Sequence, residues 1–476
     1  MHTLSVTGAL RATVAAAALA AAALAQSPLT IGNVFIVRVG DGVAALSNAA
    51  TATFLDEYTP TGTLVQSIPM PTTASGLNQP LTNSGTATSE GFLNVSLNGI
   101  YLTLAGYSAA PGLAAVAGTT AASTPRVIAR VDLTGAVDTS TTITDGYNGV
   151  PPVPPATSFS SGNPRAVVTA DGNQFWTSGT GTTANAGVRF VLFGGSTSVG
   201  LNAGAPSNTR VVGTYDNRLF TTSASTVYQS VCQVGAGLPT TTGQSISVLP
   251  GLPNVSGPSA YDFFFADPNT LYIADDRAVL SNGGIQKYSL IGGTWTFQYI
   301  LGGAPCRGIT GRKANGVTTL WATTGSALIS VVDSGAGSTP TTLVTAPPNQ
   351  ALRGVRYLGK PTTVTRVAGG CGTADISTVG NAEIGTDVTT TVLNPTGIPF
   401  IIYGTSVLGL PLLPCGCTLI PSLDVVNQAS QTTLSLPLNV ALIGVQIATQ
   451  GMDFLAPQSC IGLTLALTDA YTFTIQ

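Results

Sequence analysis

Histidine is almost absent from this sequence: the one copy, His2, lies near the start of a 476-residue chain. Residues 1–25 combine Arg11 with an alanine-rich apolar run, and Ala23-Leu24-Ala25 offers the small residues that signal peptidase requires. We therefore expect cleavage before Gln26 and a mature chain without histidine, with a retained amino-terminal anchor as the alternative. Without histidine, Ser-His-Asp and Cys-His catalysis and histidine-ligated zinc, copper or haem are excluded.

Charged side chains are also scarce, at 8% of residues against about 25% in an ordinary globular protein. The hydrophobic content of 44% argues against disorder, so Thr, Ser, Asn and Gln are expected to cover the surface. The sequence has no cluster of Lys and Arg, which argues against nucleic acid or anionic membranes as partners. After the signal segment no stretch reaches the roughly 20 apolar residues of a membrane span. We expect a secreted protein, extracellular, periplasmic or at the cell surface, without a cofactor.

Helical periodicity is nearly absent as well, and short alternating segments between turn residues predict an all-β fold. Residues 260–302 divide into four such segments, with a predicted hairpin turn at Asp267-Pro268-Asn269. Units of the same kind begin at Pro164, Thr209, Ala260, Cys306 and Leu352. The steps between them are 45, 51, 46 and 46 residues, which is the length of a four-stranded propeller blade.

The two ends of this repeat region are predicted to share one blade. The unit at Leu352 stops after its first strand, and its three missing strands are expected from the segments 33–40, 52–62 and 63–71. Such sharing closes the ring and leaves no open edge. With the unit that starts at Gly91, the count is six blades. A seventh blade within 72–90 or 146–162 is the alternative count, and a β-solenoid is the alternative architecture.

A separate β-sandwich domain is predicted for residues 363–476, following a propeller at 26–360 and Pro361. Four of the six cysteines lie in it, and they are expected to form disulfides: Cys371, Cys415, Cys417 and Cys460. Cys415 and Cys417 are separated by one residue, so on a strand they share a face and cannot easily bridge each other. Two connectivities with the remaining pair stay open, and a zinc site of four thiolates is the alternative. Cys232 and Cys306 are expected to be buried thiols.

Parts of the sequence resemble known families. The segments NVFIVRVGDG with FLDEYTPTGTLVQSIPMP, SEGFLNVSLNGIYLTLAGY and GGIQKYSLIGGTW resemble a group of exported bacterial propeller proteins with NHL-like repeats, over Leu29–Gly359. GGCG (369–372) and PCGCTL (414–419) are similar to small β-sandwich modules appended to secreted bacterial proteins. Neither resemblance implies an agreed activity. The repeats also resemble lyase-type propellers, but those lyases depend on the histidine that this chain lacks.

Arginine opens the first strand of four predicted blades, and this recurrence marks the candidate ligand site. The first strand of each propeller blade lines the central channel, so the four side chains are expected to meet near one channel mouth. Two carboxylates lie close to the same register. The candidate ligand-binding residues are Arg165, Arg210, Arg307, Arg353, Glu90 and Asp262. A structural role, in which each arginine pairs with a carboxylate or caps carbonyl groups, is the alternative.

Two classes of function stay open. The first is a non-enzymatic binding or surface protein whose partner is a glycan, another anionic molecule or a protein; guanidinium groups suit carboxylate and sulfate. The second is a carbohydrate-active enzyme with carboxylates at the channel mouth, held roughly 5–10 Å apart. Asp56 with Glu57 and Asp275 with Asp276 are poorer pairs, because adjacent strand residues point to opposite faces. Asn94 begins a glycosylation sequon, which matters only in a eukaryotic secretory pathway. No catalytic or metal-binding residue is predicted.

Overall fold

The computed structural model describes residues 26–149, 162–359 and 365–475, apart from 183, 256, 315, 381, 413–415, 438 and 456–464. The predicted signal segment, Pro361, Cys415 and Cys460 lie outside the described residues. Regular structure within them is strand, except for short 3-10 helices at Val116–Gly118, Val279–Ser281 and Val440–Leu442. The prediction of an all-β fold is confirmed. None of the helices described here is long and apolar enough to cross a bilayer.

The amino-terminal part forms two neighbouring antiparallel sheets. Their strands are β1 (Val34–Val39), β2 (Ala50–Tyr58), β3 (Leu64–Pro69), β4 (Thr82–Ser84), β5 (Asn94–Val95), β6 (Tyr101–Tyr107), β7 (Arg126–Asp132) and β8 (Val137–Ile143). β2 pairs with β1 and β3, while β5, β6, β7 and β8 pair in that order. The short β4 pairs with both β2 and β6 and so joins the two sheets. Segment 72–90, where a seventh blade was the alternative, thus holds this three-residue strand.

Four separate four-stranded antiparallel sheets follow, each paired in chain order. Their strands are β9 (Pro164–Thr169), β10 (Gln174–Gly179), β11 (Gly187–Leu192) and β12 (Val199–Gly200); β13 (Thr209–Tyr215), β14 (Arg218–Ser223), β15 (Val231–Val234) and β16 (Ile246–Val248); β17 (Ala260–Asp267), β18 (Thr270–Asp275), β19 (Gly284–Ile291) and β20 (Thr294–Leu301); β21 (Gly308–Ala314), β22 (Val317–Thr323), β23 (Ala327–Val332) and β24 (Thr341–Thr345). The strand starts match the predicted repeat. The predicted turn after Asp267 is confirmed, since the Asn269 backbone N–H donates to the Asp267 carboxylate at 2.8 Å.

The next strand, β25 (Ala351–Tyr357), returns to the amino-terminal sheet and pairs antiparallel with β1. β25, β1, β2 and β3 thereby form another four-stranded arrangement. The first strands of successive sheets also contact one another: β9 with β13, β13 with β17, β17 with β21 and β21 with β25. β5 contacts both β9 and β25. The described part of residues 26–359 is therefore a propeller-like series of antiparallel sheets.

A β-bulge in β25 controls which of its arginines share a face. The register shifts beyond Phe35 of β1, and Val355 is the extra residue without a partner of its own. Arg353 lies opposite Val37, and Arg356 lies opposite Phe35. Because their partners are two residues apart on β1, Arg353 and Arg356 lie on the same face of β25.

Apolar side chains fill the space between neighbouring sheets. The largest cluster joins the sheets from β9 to β20 and includes Trp176, Phe220, Phe263 and Trp295, each less than 10% exposed. A fully buried side chain of this size contributes about 1.5–3 kcal/mol to stability. Cys232 and Cys306 are buried free thiols, as predicted, and burial raises the pKa of both to about 12. They are therefore protonated and unreactive at neutral pH.

Residues 365–475 form three further antiparallel sheets. Their strands are β26 (Thr365–Val367), β27 (Asp375–Gly380), β28 (Asp387–Leu393), β29 (Ile398–Gly404), β30 (Val407–Leu412), β31 (Cys417–Pro421), β32 (Val425–Asn427), β33 (Gln431–Ser435), β34 (Gln446–Phe454) and β35 (Leu465–Thr474). The sheet orders are β26-β35-β34-β29-β32, β27-β28-β33 and β30-β31. Val388 of β28 packs with Phe473 of β35 in one apolar cluster, which joins the two larger sheets. Side chains alternate at the end of this region, with Tyr471, Phe473 and Ile475 buried and Thr472 and Thr474 partly exposed between them.

Cys371 and Cys417 form a disulfide bond in this region. Of the two predicted connectivities, the structure selects the one in which Cys371 pairs with Cys417. This bond contradicts the alternative of a four-thiolate zinc site, because disulfide sulfurs are not thiolate ligands. The bond between Cys415 and Cys460 stays a prediction, since both residues lie outside the described part of the chain.

Candidate functional site

The four predicted arginines lie near one another on neighbouring sheets. Arg165 is on β9, Arg210 on β13 and Arg353 on β25, while Arg307 immediately precedes β21. Burial is the main cause that lowers the pKa of Arg165, Arg210 and Arg353, and a neighbouring guanidinium lowers each of them further. That neighbour is Arg210 for Arg165, and Arg307 for both Arg210 and Arg353. We call these four residues the arginine cluster.

Tyr261, which occupies the same register on β17, lies inside the arginine cluster. The Arg210 Cζ atom is 3.8 Å from the centre of the Tyr261 ring, and the Arg307 Cζ atom is 5.8 Å from it. The ring is almost fully buried, and its hydroxyl lies 3.4 Å from the Thr88 Oγ1 atom. Cation–π contacts of this kind allow two like charges to share one ring.

Arg165 and Arg210 are each held by the sheet that follows. Arg165 Nη1 donates to the carbonyl oxygen of Thr209 at 2.9 Å, at the start of β13. Arg210 Nη1 donates to the carbonyl oxygen of Ala260 at 2.8 Å, at the start of β17. These contacts agree with the structural alternative, in which the arginines cap carbonyl groups between sheets.

The other two arginines contact a loop and a carboxylate. Arg353 Nη2 donates to the carbonyl oxygens of Ser84 (2.7 Å) and Gly85 (3.0 Å). Arg307 forms an ion pair with Asp276 at 3.4 Å, and its side chain is 31% exposed. Within the described residues, this is the one carboxylate ion pair that the arginine cluster makes.

Two nitrogen atoms of the arginine cluster are buried without a hydrogen-bond partner among the described residues: Arg165 Nε and Arg353 Nη1. The two residues are 8% and 7% exposed. Burial lowers the pKa of both guanidinium groups to about 10, so both stay charged at neutral pH. A buried donor without a partner destabilises a protein by about 1–3 kcal/mol, and by more when it is charged. An anion or water beside these atoms would remove that loss.

A cavity of about 70 Å³ lies against two members of the arginine cluster, Arg307 and Arg353. Glu90, residues 85–88 and Gly325 also line it. Gly325 has a φ of +96°, and a Cβ atom there would lie 2.9 Å from Arg307 Nη1, so glycine preserves the space. A water molecule takes up about 30 Å³ in the liquid, so the cavity has the size for a small oxyanion.

Glu90 is fully buried and already satisfied. Its carboxylate accepts hydrogen bonds from the Ser84 backbone N–H (2.8 Å), the Tyr107 hydroxyl (2.5 Å) and the Asn163 side-chain amide. Burial and then the charge of Glu90 raise the pKa of Tyr107 well above its usual range. The negative charge of Glu90 acts against the lowering of the Arg353 pKa by burial, and it offsets part of the positive charge of the arginine cluster.

Asp262 pairs with an arginine that the sequence did not single out. Its carboxylate accepts hydrogen bonds from Arg356 Nη1 (2.6 Å) and Nη2 (3.0 Å), rather than from the predicted arginines. It also accepts the backbone N–H groups of Phe263 (2.8 Å) and Ile309 (3.0 Å). The charge of Asp262 is thus balanced by Arg356, which lies outside the arginine cluster.

This ion pair belongs to a polar network that joins six described strands: β5, β9, β13, β17, β21 and β25. Arg356 of β25 also donates to the Ile309 carbonyl of β21 (2.8 Å) and to Asn94 Oδ1 of β5 (2.8 Å). Asn94 Nδ2 in turn donates to the carbonyls of Val167 on β9 (2.7 Å) and Val212 on β13 (2.9 Å). We call the Asp262, Arg356 and Asn94 side chains with these carbonyls the hub network. The sequence marks neither residue as part of such a network: Asn94 stands out only as the start of a sequon, and Arg356 does not recur between the repeats.

The other predicted carboxylate pairs are neutralised separately. Asp56 pairs with Arg38 at 2.6 Å, and Asp275 pairs with Arg277 at 2.8 Å. Glu57 accepts hydrogen bonds from side-chain amides. None of these described pairs presents two free carboxylates to one space.

Successive four-stranded antiparallel sheets define an all-β protein of propeller-like fold. No family model matches the chain, and no curated protein matches it. Similar solved structures include a candidate 6-phosphogluconolactonase from Bacteroides uniformis, with 12% identity and a TM-score of 0.35, covering 66% of this chain and 83% of that one. The nidogen/laminin complex has 12% identity and a TM-score of 0.35, covering 68% and 97%.

The extracellular domain of a candidate hybrid two-component system from B. thetaiotaomicron is also similar, with 11% identity and a TM-score of 0.33. The match covers 78% of this chain and 46% of that one, so this chain spans about half of its length. Similarities at these levels of identity carry no information about the chemistry of the site, which depends on this chain's own residues.

Proposed function

We propose that this protein is a secreted, non-enzymatic binding protein built on a six-bladed β-propeller. In this proposal residues 26–360 form the propeller, closed by the amino-terminal strands, and residues 363–476 form a β-sandwich domain. The pairing of β25 with β1 and the contacts of β5 with β9 and β25 support the closed ring. The Cys371–Cys417 disulfide supports an extracellular or periplasmic location, because such bonds persist in oxidising compartments.

The proposed ligand is an anionic group, carboxylate or sulfate, on an acidic glycan or a protein. The observation that carries this proposal is Arg353, which lines a 70 Å³ cavity and has a buried Nη1 donor without a partner among the described residues. Four guanidinium groups lie near three carboxylates, Glu90, Asp275 and Asp276, and Asp275 is already paired with Arg277, so the arginine cluster keeps a positive excess. The planar fork of a guanidinium donates two parallel hydrogen bonds to such an anion.

The hydrolytic alternative has weaker support. A glycoside hydrolase needs two carboxylates that reach the same bond. Glu90 and Asp262 are both fully buried, and each already accepts at least three hydrogen bonds. We therefore propose binding without turnover.

The test is a calorimetric titration of sulfated and uronic-acid oligosaccharides against native protein and an Arg307→Ala, Arg353→Ala double variant. Each charge-assisted hydrogen bond contributes about 1.5–3 kcal/mol, so the double variant should bind at least about tenfold more weakly. Native affinity should also fall with added salt, since exposed charges are screened over about 10 Å at 0.1 M. Arg130→Ala is the matched control, because Arg130 lies on β7, where it packs over the Phe193 ring.

Arg353 is buried, so an Arg307→Gln variant is measured as well; its partly exposed side chain allows the change without loss of folding. Equal affinity of native protein and both cluster variants would refute the site. Absence of binding to any of these oligosaccharides in native protein would do the same and would leave the arginines with a structural role.

A further inference from the structure

A second and larger cavity lies where the propeller-like part meets the carboxy-terminal sheets. It measures about 290 Å³ and is lined by the ends of β13, β17, β21 and β25 and, opposite them, by β27, β28 and β35. Typical small-molecule pockets measure roughly 300–1,000 Å³. We call it the junction cleft; its principal side chains are Tyr215, Asp216, Phe264, Asp267, Arg312 and Tyr471. No member of the arginine cluster lines it.

The junction cleft extends inward between the first strands. A neighbouring cavity of about 260 Å³ shares Tyr215, Phe264 and Tyr357 with it and reaches Arg356 of the hub network. Two hydrogen bonds join the walls near the cleft: Asn217 Nδ2 to the Tyr471 hydroxyl (3.1 Å) and Asn269 Nδ2 to Gln431 Oε1 (2.6 Å). Because the two cavities share lining residues, a ligand of several rings could extend from the junction cleft into the neighbouring cavity.

Two polar atoms of the cleft are buried without a hydrogen-bond partner among the described residues. They are the Tyr215 hydroxyl and Arg312 Nε. Asp216, between Arg218 and the Ser377 hydroxyl, adds a buried acceptor to the same cleft. Buried polar atoms are hydrogen-bonded in about nine cases of ten, so two such atoms in residues that line one cavity point to a ligand or ordered water beside them. Burial raises the pKa of Tyr215 well above its usual range, so its hydroxyl is a donor at neutral pH.

The cleft has both charged and aromatic side chains. Three carboxylates line it, Asp216, Asp267 and Asp387, with two cations, Arg312 and Lys313. Asp216 pairs with Arg218, outside the lining, at 2.6 Å, and Asp267 pairs with Lys313 at 2.8 Å, so negative and positive charges are equal in number. The Tyr215 ring stacks on Phe265 with 4.5 Å between the ring centres. A cavity with aromatic faces and with donors and acceptors, but without a charge excess, matches a molecule that has an apolar ring face and a rim of hydroxyl groups.

We propose that the junction cleft binds a neutral saccharide. Its hydroxyl groups accept hydrogen bonds from the Tyr215 hydroxyl and Arg312 Nε and donate to Asp216 Oδ1, and a sugar ring lies against the aromatic side chains. This site is separate from the proposed anion site, and either can fail without the other.

The test uses glucose, galactose, mannose and the tetrasaccharides of cellulose, starch and β-1,3-glucan, titrated at millimolar concentration by calorimetry and by saturation-transfer NMR. Tyr215→Phe removes the hydroxyl that lacks a partner and keeps the stacked ring. Tyr58→Phe is the matched control, since Tyr58 is also buried but lies on β2 and lines neither cavity. We expect at least one saccharide to bind, about threefold to tenfold more weakly to Tyr215→Phe and unchanged to Tyr58→Phe.

A second variant, Arg312→Gln, removes the Nε donor and should weaken binding of the same saccharide by a similar factor. If no saccharide of the series binds native protein, the proposal is wrong. It is equally wrong if binding is the same in Tyr215→Phe and Arg312→Gln as in native protein. A rise in melting temperature of Tyr215→Phe without a change in affinity would identify the cleft as a structural void.

Discussion

Replacing Asp262 by asparagine should strongly destabilise this protein. The carboxylate is fully buried, and the Arg356 side chain that it neutralises is 12% exposed. Asparagine keeps the shape but removes the negative charge and turns an N–H₂ group toward at least one of the four donors that now face the carboxylate. The guanidinium would then be buried without a counter-charge.

Removing one partner of a buried ion pair costs about 3–5 kcal/mol. In domains of 150–250 residues, each kcal/mol shifts the melting temperature by about 2–4 °C, so a fall of roughly 6–20 °C is expected. Since the hub network joins β5, β9, β13, β17, β21 and β25, the loss should affect these strands together and leave unfolding cooperative.

Urea unfolding followed by tryptophan fluorescence measures this loss, because Trp176, Trp295 and Trp321 are buried in three different sheets. Asp138→Asn is the control; that carboxylate is 34% exposed and pairs with an arginine at 3.6 Å, so the change should matter by less than about 0.5 kcal/mol. An Asp262→Leu, Arg356→Met double variant should recover only part of the stability: it removes the unpaired charge but leaves the backbone N–H groups of Phe263 and Ile309 without their acceptor. A loss below about 1 kcal/mol in Asp262→Asn would refute this account of the hub network.

Three further predictions concern processing and oxidation. Amino-terminal sequencing of exported protein should begin at Gln26, and an uncleaved chain would show that the small residues before it do not form a cleavage site. Replacing Cys371 and Cys417 by alanine should destabilise the carboxy-terminal sheets by about 2–4 kcal/mol in chemical unfolding. Peptide mapping without reductant should also recover Cys415 bonded to Cys460; alkylation of either thiol in native protein would contradict this.

The positions of the strands were predictable because their signals are local. Alternating apolar side chains and turn residues mark each strand within a few residues, so the first strands at Pro164, Thr209 and Ala260 follow from the sequence. The proximity of the arginines was predictable for a related reason: a residue type that recurs at one register of a repeat returns to one end of the sheets.

The partners of these side chains were not predictable, because they depend on contacts between distant strands. Without the bulge at Val355, Arg353 and Arg356 would point to opposite faces, and nothing in the local pattern marks that bulge. Asp262 and Glu90 have equivalent positions in the sequence pattern. The charge of Asp262 is balanced by an arginine, whereas Glu90 accepts hydrogen bonds from uncharged groups. The junction cleft depends on how two regions face each other, which periodicity within either region does not encode.

The pairing of β1 with β25 affects how the chain can fold during its synthesis. β1 ends at Val39, whereas β25 begins at Ala351, and a ribosome adds about 5–20 residues per second. If folding kept pace with synthesis, the outer edge of β1 would wait roughly 15–60 s for its partner. An apolar strand such as β1, with Phe35 and Ile36, would offer that edge to other chains throughout the delay. A chain that crosses the membrane unfolded avoids the delay, because both strands are already present when folding begins.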